Sequence, residues 1–199
     1  MLGLLPLAAV IIAYLLGSVC MAIPVCALCG LPDPRLQGSH NPGATNVLRL
    51  GGKGAALLTL LGDALKGFLP IVVMRHVGAS TLLQTCLGLA AFLGHLYPLY
   101  FRFRGGKGVA TAFGLIFALS PWLGLATAAT WLLVFVLRRI SSLAALLAFA
   151  LMPVYAYFLH AGTPPLLALI SLLLILRHRR NILALWRGEE KRLQSSDGA

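Results

Sequence analysis

The stretch AALLTLLGDALKGFLPIVVM, residues 55–74, decides the fold class. It is long enough to cross a hydrocarbon core, which takes about 20 residues of α-helix. Its two ionisable side chains, Asp63 and Lys66, stand three apart and so share one helical face. An ionised group at mid-bilayer costs roughly 2.5–3.5 kcal/mol on the translocon scale. Such a pair must neutralise itself or line a polar cavity, so structural pairing and substrate contact both stay open.

Further apolar runs occupy 2–25, 79–100, 109–120, 121–137, 141–160 and 164–177. The runs at 2–25, 79–100 and 141–160 satisfy the same length rule. The run 121–137 sits at the lower limit of about 17 residues, and 109–120 and 164–177 are short. The chain is 59% hydrophobic and 11% charged, with mean hydropathy +0.91. These values exclude a soluble domain of this length. They predict an all-α, polytopic integral membrane bundle of about seven transmembrane helices. One membrane domain covers residues 1–199, without internal repeats. The polar end 191–199, with QSSDGA last, is expected to fray. The N-terminus, MLGLLPLAAVII, lacks a basic leader and a small-residue cleavage site, so it reads as a retained first helix.

Five acids face sixteen Lys and Arg. The bases form no contiguous face and no aromatic stacking pattern accompanies them, which excludes a nucleic-acid partner. Topology accounts for them better. With seven spans and the N-terminus outside, the inner loops hold Arg35, Arg49, Lys53, Arg102, Arg104, Lys107, Arg138 and Arg139. The tail adds Arg177, Arg179, Arg180, Arg187, Lys191 and Arg192. Arg75 alone lies outside and Lys66 lies within a span. The C-terminus is then cytoplasmic. A five-span chain with two re-entrant segments keeps the tail inside as well and is the alternative.

Cys26 and Cys29 form a C-x-x-C without a second pair or a histidine cluster, so they read as small residues in a membrane helix. No metal or cofactor is called for.

Three inner segments carry polar chemistry. GSHNPGATNVLRLGGKG, residues 38–54, is dense in glycine and small polar residues that favour tight turns. RFRGGKGVATAFG, residues 102–114, sets Gly105, Gly106, Lys107 and Gly108 directly before an apolar helix. Glycines allow close backbone approach, and a helix N-terminus favours an anion, so this reads as a phosphate seat. It is no Walker A loop, because neither GGKG is followed by Ser or Thr. RHRRNILALWRGEE, residues 177–190, ends the last run in cations and continues as a short interfacial helix. Basic anchoring explains the arginines there, but not Asn181 or Glu190. His95 reads as a packed histidine. His76 and His160 fall on the outer side.

Absences narrow the chemistry further. None of His40, His76, His95, His160 or His178 has an acid five residues on, so no H-x4-D base is present. There is no G-x-S-x-G elbow and no aspartate-rich metal motif.

GSHNPGATNVLR, GDALKG, GHLYPLYFRFRGGKGVAT, and HRRNI followed by GEE resemble the bacterial acyl-phosphate:glycerol-3-phosphate acyltransferase family from about residue 14 to residue 190. The resemblance implies an enzyme of the bacterial inner membrane, its active site facing the cytoplasm, that uses neither metal nor cofactor. It implies transfer of an acyl group from acyl phosphate to the sn-1 hydroxyl of glycerol 3-phosphate, giving lysophosphatidic acid and inorganic phosphate in phospholipid biosynthesis. By position it implies catalytic roles for Ser39, His178 and Asn181. It implies substrate contacts for Arg49, Lys107, Ser142 and Glu190, with Gly105, Gly106, Gly108, Asn41, Thr45 and Asn46 around them. Relatives often carry an arginine where this chain has Ala184, and Arg187 is the candidate replacement. A small organic-anion transporter or channel is the rival class, since it shares the bundle, the basic mouth and the buried pair.

Overall fold

The computed structural model describes residues 4–159 and 161–192; His160 and most of the expected frayed end lie outside the described residues. Among the described residues there are ten α-helices and no strand. They are α1 (Leu4–Gly17), α2 (Ala22–Leu28), α3 (Ala44–Gly51), α4 (Lys53–His76), α5 (Thr81–Leu96), α6 (Val109–Leu119), α7 (Pro121–Arg138), α8 (Ser141–Phe158), α9 (Pro164–Arg177) and α10 (Arg179–Trp186).

Four helical segments are long and apolar enough to cross a membrane: Lys53–His76, Thr81–Phe101, Pro121–Arg138 and Ser141–Phe158. The run 2–25, read as one span, is instead broken. α1 and α2 meet at a bend of 44° and reach spanning length only as a pair. α6 and α9 are shorter apolar helices. The 109–120 and 121–137 runs are separate helices because Ser120 is extended and its hydroxyl accepts the Leu123 amide at 3.3 Å, with Pro121 opening α7. Proline is favoured at that first position, where its missing N–H costs nothing.

Burial is inverted relative to a soluble protein. Leu57, Leu58, Leu61, Leu65 and Leu69 of α4, and Leu125, Leu132, Leu133 and Val136 of α7, face outward. The interior holds Phe92, Leu115, Ile116, Phe149, Met152 and Ile170, all fully buried. Small residues let the helix backbones approach. A Cβ at Gly114 would overlap the Ala64 backbone, and one at Gly67 the Thr111 carbonyl, so α4 and α6 lie in backbone contact.

The polar ends separate. At one end the Arg75 guanidinium reaches the carbonyls of Ala118 and Leu119, the last turn of α6. A cation there complements the helix dipole. The loops that hold Ser39, Lys107, Ser142 and Asn181 gather at the opposite end, joined by the contacts described next.

Candidate active site

A cavity of about 730 Å³ opens at that end. Three segments distant in sequence line it: the α2–α3 loop, the loop between α5 and α6, and the α9–α10 junction with the strand of chain beyond α10. Arg35, Arg104, Lys107, Arg177, Arg179 and Arg180 contribute cations, against a single carboxylate, Glu190. Such a wall concentrates anions, and its positive potential is focused by the apolar bundle behind it.

The α2–α3 loop is folded by Asn46. Its Oδ1 accepts the Ser39 amide at 2.9 Å, and its Nδ2 donates to the carbonyls of Pro34 at 2.8 Å and Gln37 at 3.0 Å. Ser39, His40 and Asn41 are thereby presented to the cavity. Asn46 itself, expected near substrate, is buried and its side chain is engaged within the loop. Arg35 is fixed by paired hydrogen bonds to Asp33, at 2.6 Å and 3.1 Å, which hold the Asp33 carboxyl below its ordinary range. Its guanidinium also stacks over Phe101 at 5.5 Å.

The glycine loop is held from both sides. Gly106 N–H donates to the His95 carbonyl at 3.1 Å. Arg177 donates to the carbonyls of Gly105 at 2.8 Å and Gly106 at 3.2 Å. A Cβ at Gly105 would overlap the His95 carbonyl, one at Gly106 the His95 ring, and one at Gly108 the Phe92 ring. Gly108 also has φ of +82°, a left-handed conformation that glycine adopts freely. The glycines therefore serve close packing on the end of α5, whereas the sequence suggested close approach to a ligand. Gly105 reaches the cavity, but Gly106 and Gly108 are buried. The first GGKG is different again: Gly52, at φ +92°, separates α3 from α4, and Lys53 is exposed.

Lys107 reaches into the cavity half-buried. Burial pulls its proton affinity down to about 8; Glu190 opposes this, and Arg49 and Arg177 add to it. His178, expected to contact substrate, lies beneath the cavity floor at 1% exposure and outside its lining. Its Nδ1 lies 2.8 Å from the Leu174 carbonyl. A carbonyl can only accept, so Nδ1 carries the proton and Nε2 is bare. Burial and then Lys107 depress its pKa to about 4, keeping the ring neutral.

Glu190 ties the tail down. Ser142 Oγ donates to its Oε1 at 2.6 Å and Asn181 Nδ2 donates to the same atom at 2.7 Å. A carboxylate cannot donate, so the Asn181 amide nitrogen must face Glu190, and its Oδ1 is left to accept from something else. Ser142 is thus an anchor outside the cavity lining, as is Thr45, whose hydroxyl lies 3.3 Å from that of Ser141. Arg49 is exposed on α3 and also lies outside the lining. Arg187 is exposed and lies outside the lining, whereas Arg179 and Arg180 line the cavity. Arg177, Arg179 and Arg180 were legible only as membrane anchors, and Arg35 and Arg104 only as loop charges.

Comparison with known proteins adds to this geometry. The family model described as glycerol-3-phosphate acyltransferase matches residues 7–188. A glycerol-3-phosphate acyltransferase of Thioalkalivibrio sulfidiphilus is 56% identical over 192 residues, covering 96% of this chain and 95% of that protein. One of Haemophilus ducreyi is 52% identical over 184 residues, covering 92% of each. The crystal structure of PlsY (YgiH), an integral membrane glycerol 3-phosphate acyltransferase, in its glycerol 3-phosphate form superposes with TM-score 0.89 at 40% identity, covering 95% of this chain and 96% of that one. Its lysophosphatidic acid form gives 0.85 at 38% identity, covering 95% of each chain.

Proposed function

The chain belongs to the glycerol-3-phosphate acyltransferase family, and from that premise we propose that it moves an acyl group from acyl phosphate to the sn-1 hydroxyl of glycerol 3-phosphate. The products are lysophosphatidic acid and inorganic phosphate. The observation that carries this reading is the cavity with six cations and one hydrogen-bonded carboxylate, a place for two phosphate-bearing reactants.

Acyl phosphate is already activated, since phosphate leaves readily. The protein need not form a covalent intermediate. It must bring two anions together and hold hydroxyl against carbonyl, and orientation supplies much of the acceleration. Lys107 holds the donor phosphate, with Arg177 stiffening the loop beneath it. Arg179 and Arg180 face the glycerol phosphate. The Asn181 Oδ1 accepts the hydrogen bond of the reacting hydroxyl and points its oxygen at the acyl carbon. That oxygen attacks, the bond from acyl carbon to phosphate oxygen breaks, and the hydroxyl proton passes to a phosphate oxygen. Ser39, at the cavity wall, donates a hydrogen bond to phosphate or carbonyl oxygen. His178 keeps its floor position and Arg49 adds positive potential. No cofactor or metal enters the scheme.

In this reading the seven apolar segments cross the bacterial inner membrane, with the N-terminus outside and the cavity toward the cytoplasm. The gathering of basic loops at one end supports that orientation. The acyl chain reaches the cavity from the bilayer.

Purified protein in lipid, given acyl phosphate and glycerol 3-phosphate, should release lysophosphatidic acid and phosphate in equal amounts. Failure to form either, with glycerol 3-phosphate instead entering sealed vesicles, would replace the enzyme by a transporter. Cysteines placed at Ser39 and Gly78 should label from opposite faces of the membrane.

A further inference from the structure

Three ionisable side chains stand behind the glycine loop, and none of them has a place in the reaction above. Lys66 Nζ lies 2.7 Å from Asp63 Oδ1 and 2.8 Å from His95 Nδ1, and donates to the Val19 carbonyl at 2.7 Å. Its three protons therefore have three acceptors. Asp63 Oδ1 also accepts the Met21 amide at 3.2 Å. Asp63, Lys66 and His95 are 1%, 7% and 3% exposed. Because the ammonium can only donate, His95 Nδ1 is an acceptor and its Nε2 carries the proton. The 3.4 Å approach of Asp63 to Nδ1 is then a consequence of their shared Lys66, not a second bond.

A pair that merely neutralised itself would need no imidazole. Here the far edge of the ring is applied to the loop: a Cβ at Gly106 would overlap Nε2, while the Gly106 amide donates to the His95 carbonyl at 3.1 Å. Arg177 grips the carbonyls of Gly105 and Gly106 from elsewhere in the fold. Lys107 is the next residue, so a shift of the Gly106 backbone carries the start of Lys107 with it. We infer that His95, held by the Asp63–Lys66 pair, is a positioning residue that sets the height of the glycine loop and so aims Lys107 at the donor phosphate. This rests on Lys107 seating that phosphate. The intramembrane charges, otherwise a cost, thereby fix a part of the site they never touch.

The test compares His95→Ala, Gly106→Ala, the double variant and Lys107→Ala in lipid. Acyl-phosphate KM, the inhibition constant of inorganic phosphate, kcat and thermal midpoint are measured for each. His95→Ala removes the ring on which the loop rests, while the backbone bond and Arg177 remain, and Gly106→Ala pushes the loop off that ring. Each should raise acyl-phosphate KM and the phosphate inhibition constant by roughly tenfold or more, as displacements of about an ångström do. Glycerol 3-phosphate KM should stay near wild type in both, while His95→Ala, which leaves one Lys66 proton without its acceptor, should lower the thermal midpoint. In the double variant the new methyl takes the space of the lost ring, so its constants should be no worse than the poorer single's. Constants that multiply in the double variant would overturn the inference, as would wild-type constants in Gly106→Ala. Gly106→Ala touches no buried charge, so that comparison decides the matter even if His95→Ala fails to fold. If Lys107→Ala leaves phosphate inhibition unchanged, it is the assignment of Lys107 that fails, whatever the His95 variants do.

Discussion

Ser142 and Glu190, 48 residues apart in the chain, meet through a hydrogen bond of 2.6 Å from the serine hydroxyl to Glu190 Oε1. That contact fixes the segment after α10 against the start of α8. The same oxygen accepts from Asn181, so it also decides which way the asparagine amide points.

Removing Glu190 should therefore disable Asn181 without unfolding the bundle. Glu190→Ala should lower kcat/KM for glycerol 3-phosphate by about tenfold to a hundredfold, the scale of a lost charge-assisted hydrogen bond and its orientation. Glu190→Gln keeps an acceptor and should lose less. Steady-state kinetics on the two variants checks the order; equal losses would show that charge, not orientation, is what Glu190 supplies.

Lys107→Ala should cost a hundredfold or more in turnover, roughly what removal of one preorganised donor costs elsewhere. The variant should still insert and melt like the wild type, since the lysine makes no hydrogen bond within the protein among the described residues. Near-normal turnover would end the assignment.

The pH profile has a worked sign. The Lys107 ammonium is lost as pH rises through about 8, because burial has lowered its proton affinity. Acyl-phosphate KM should be flat below that point and climb about tenfold per unit above it. Lys107→Arg stays charged and should flatten the climb. His178, neutral down to about 4, should add no inflection near 6.5. Profiles from about pH 6 to about pH 10 test both statements.

Ser39 should remain unacylated. Its neighbour His40 has Nδ1 3.2 Å from the Arg35 carbonyl, which makes that nitrogen a donor. Among the described residues no histidine bonds the serine hydroxyl, so the base that nucleophilic catalysis requires is missing. Rapid quenching with labelled donor should yield no protein adduct, and Ser39→Ala should retain a tenth or so of the activity. A burst of labelled protein would reverse this.

Much of the helical layout could be read from hydropathy, because span length and charge placement are properties of the chain alone. The break after Gly17 could not. Gly17–Ser18 and Pro24 mark residues 2–25 for a kink, but kinked helices carry such residues without breaking. The break is sustained by Lys66 and Asp63, which take the Val19 carbonyl and the Met21 amide from another helix. The site divides in the same way. Ser39, Asn41, Gly105, Lys107, Asn181 and Glu190 reach the cavity as motif and resemblance suggest. Arg177 was hidden because a cation ending the last apolar run is what any membrane anchor looks like. Its true partners, two carbonyls some 71 and 72 residues earlier, exist only after folding. Asn46, Ser142 and His178 stand outside the lining, and the hydrogen bonds that Asn46 and Ser142 make within the protein cannot be read from residue type.

The hold of Glu190 on Ser142 and Asn181 also sets a schedule for biosynthesis. Every apolar helix leaves the ribosome before Glu190 does, so a nascent chain can be fully inserted while its catalytic chamber still lacks a side. Competence waits on Glu190, and a protein cut short just before it would occupy the membrane as an inert bundle.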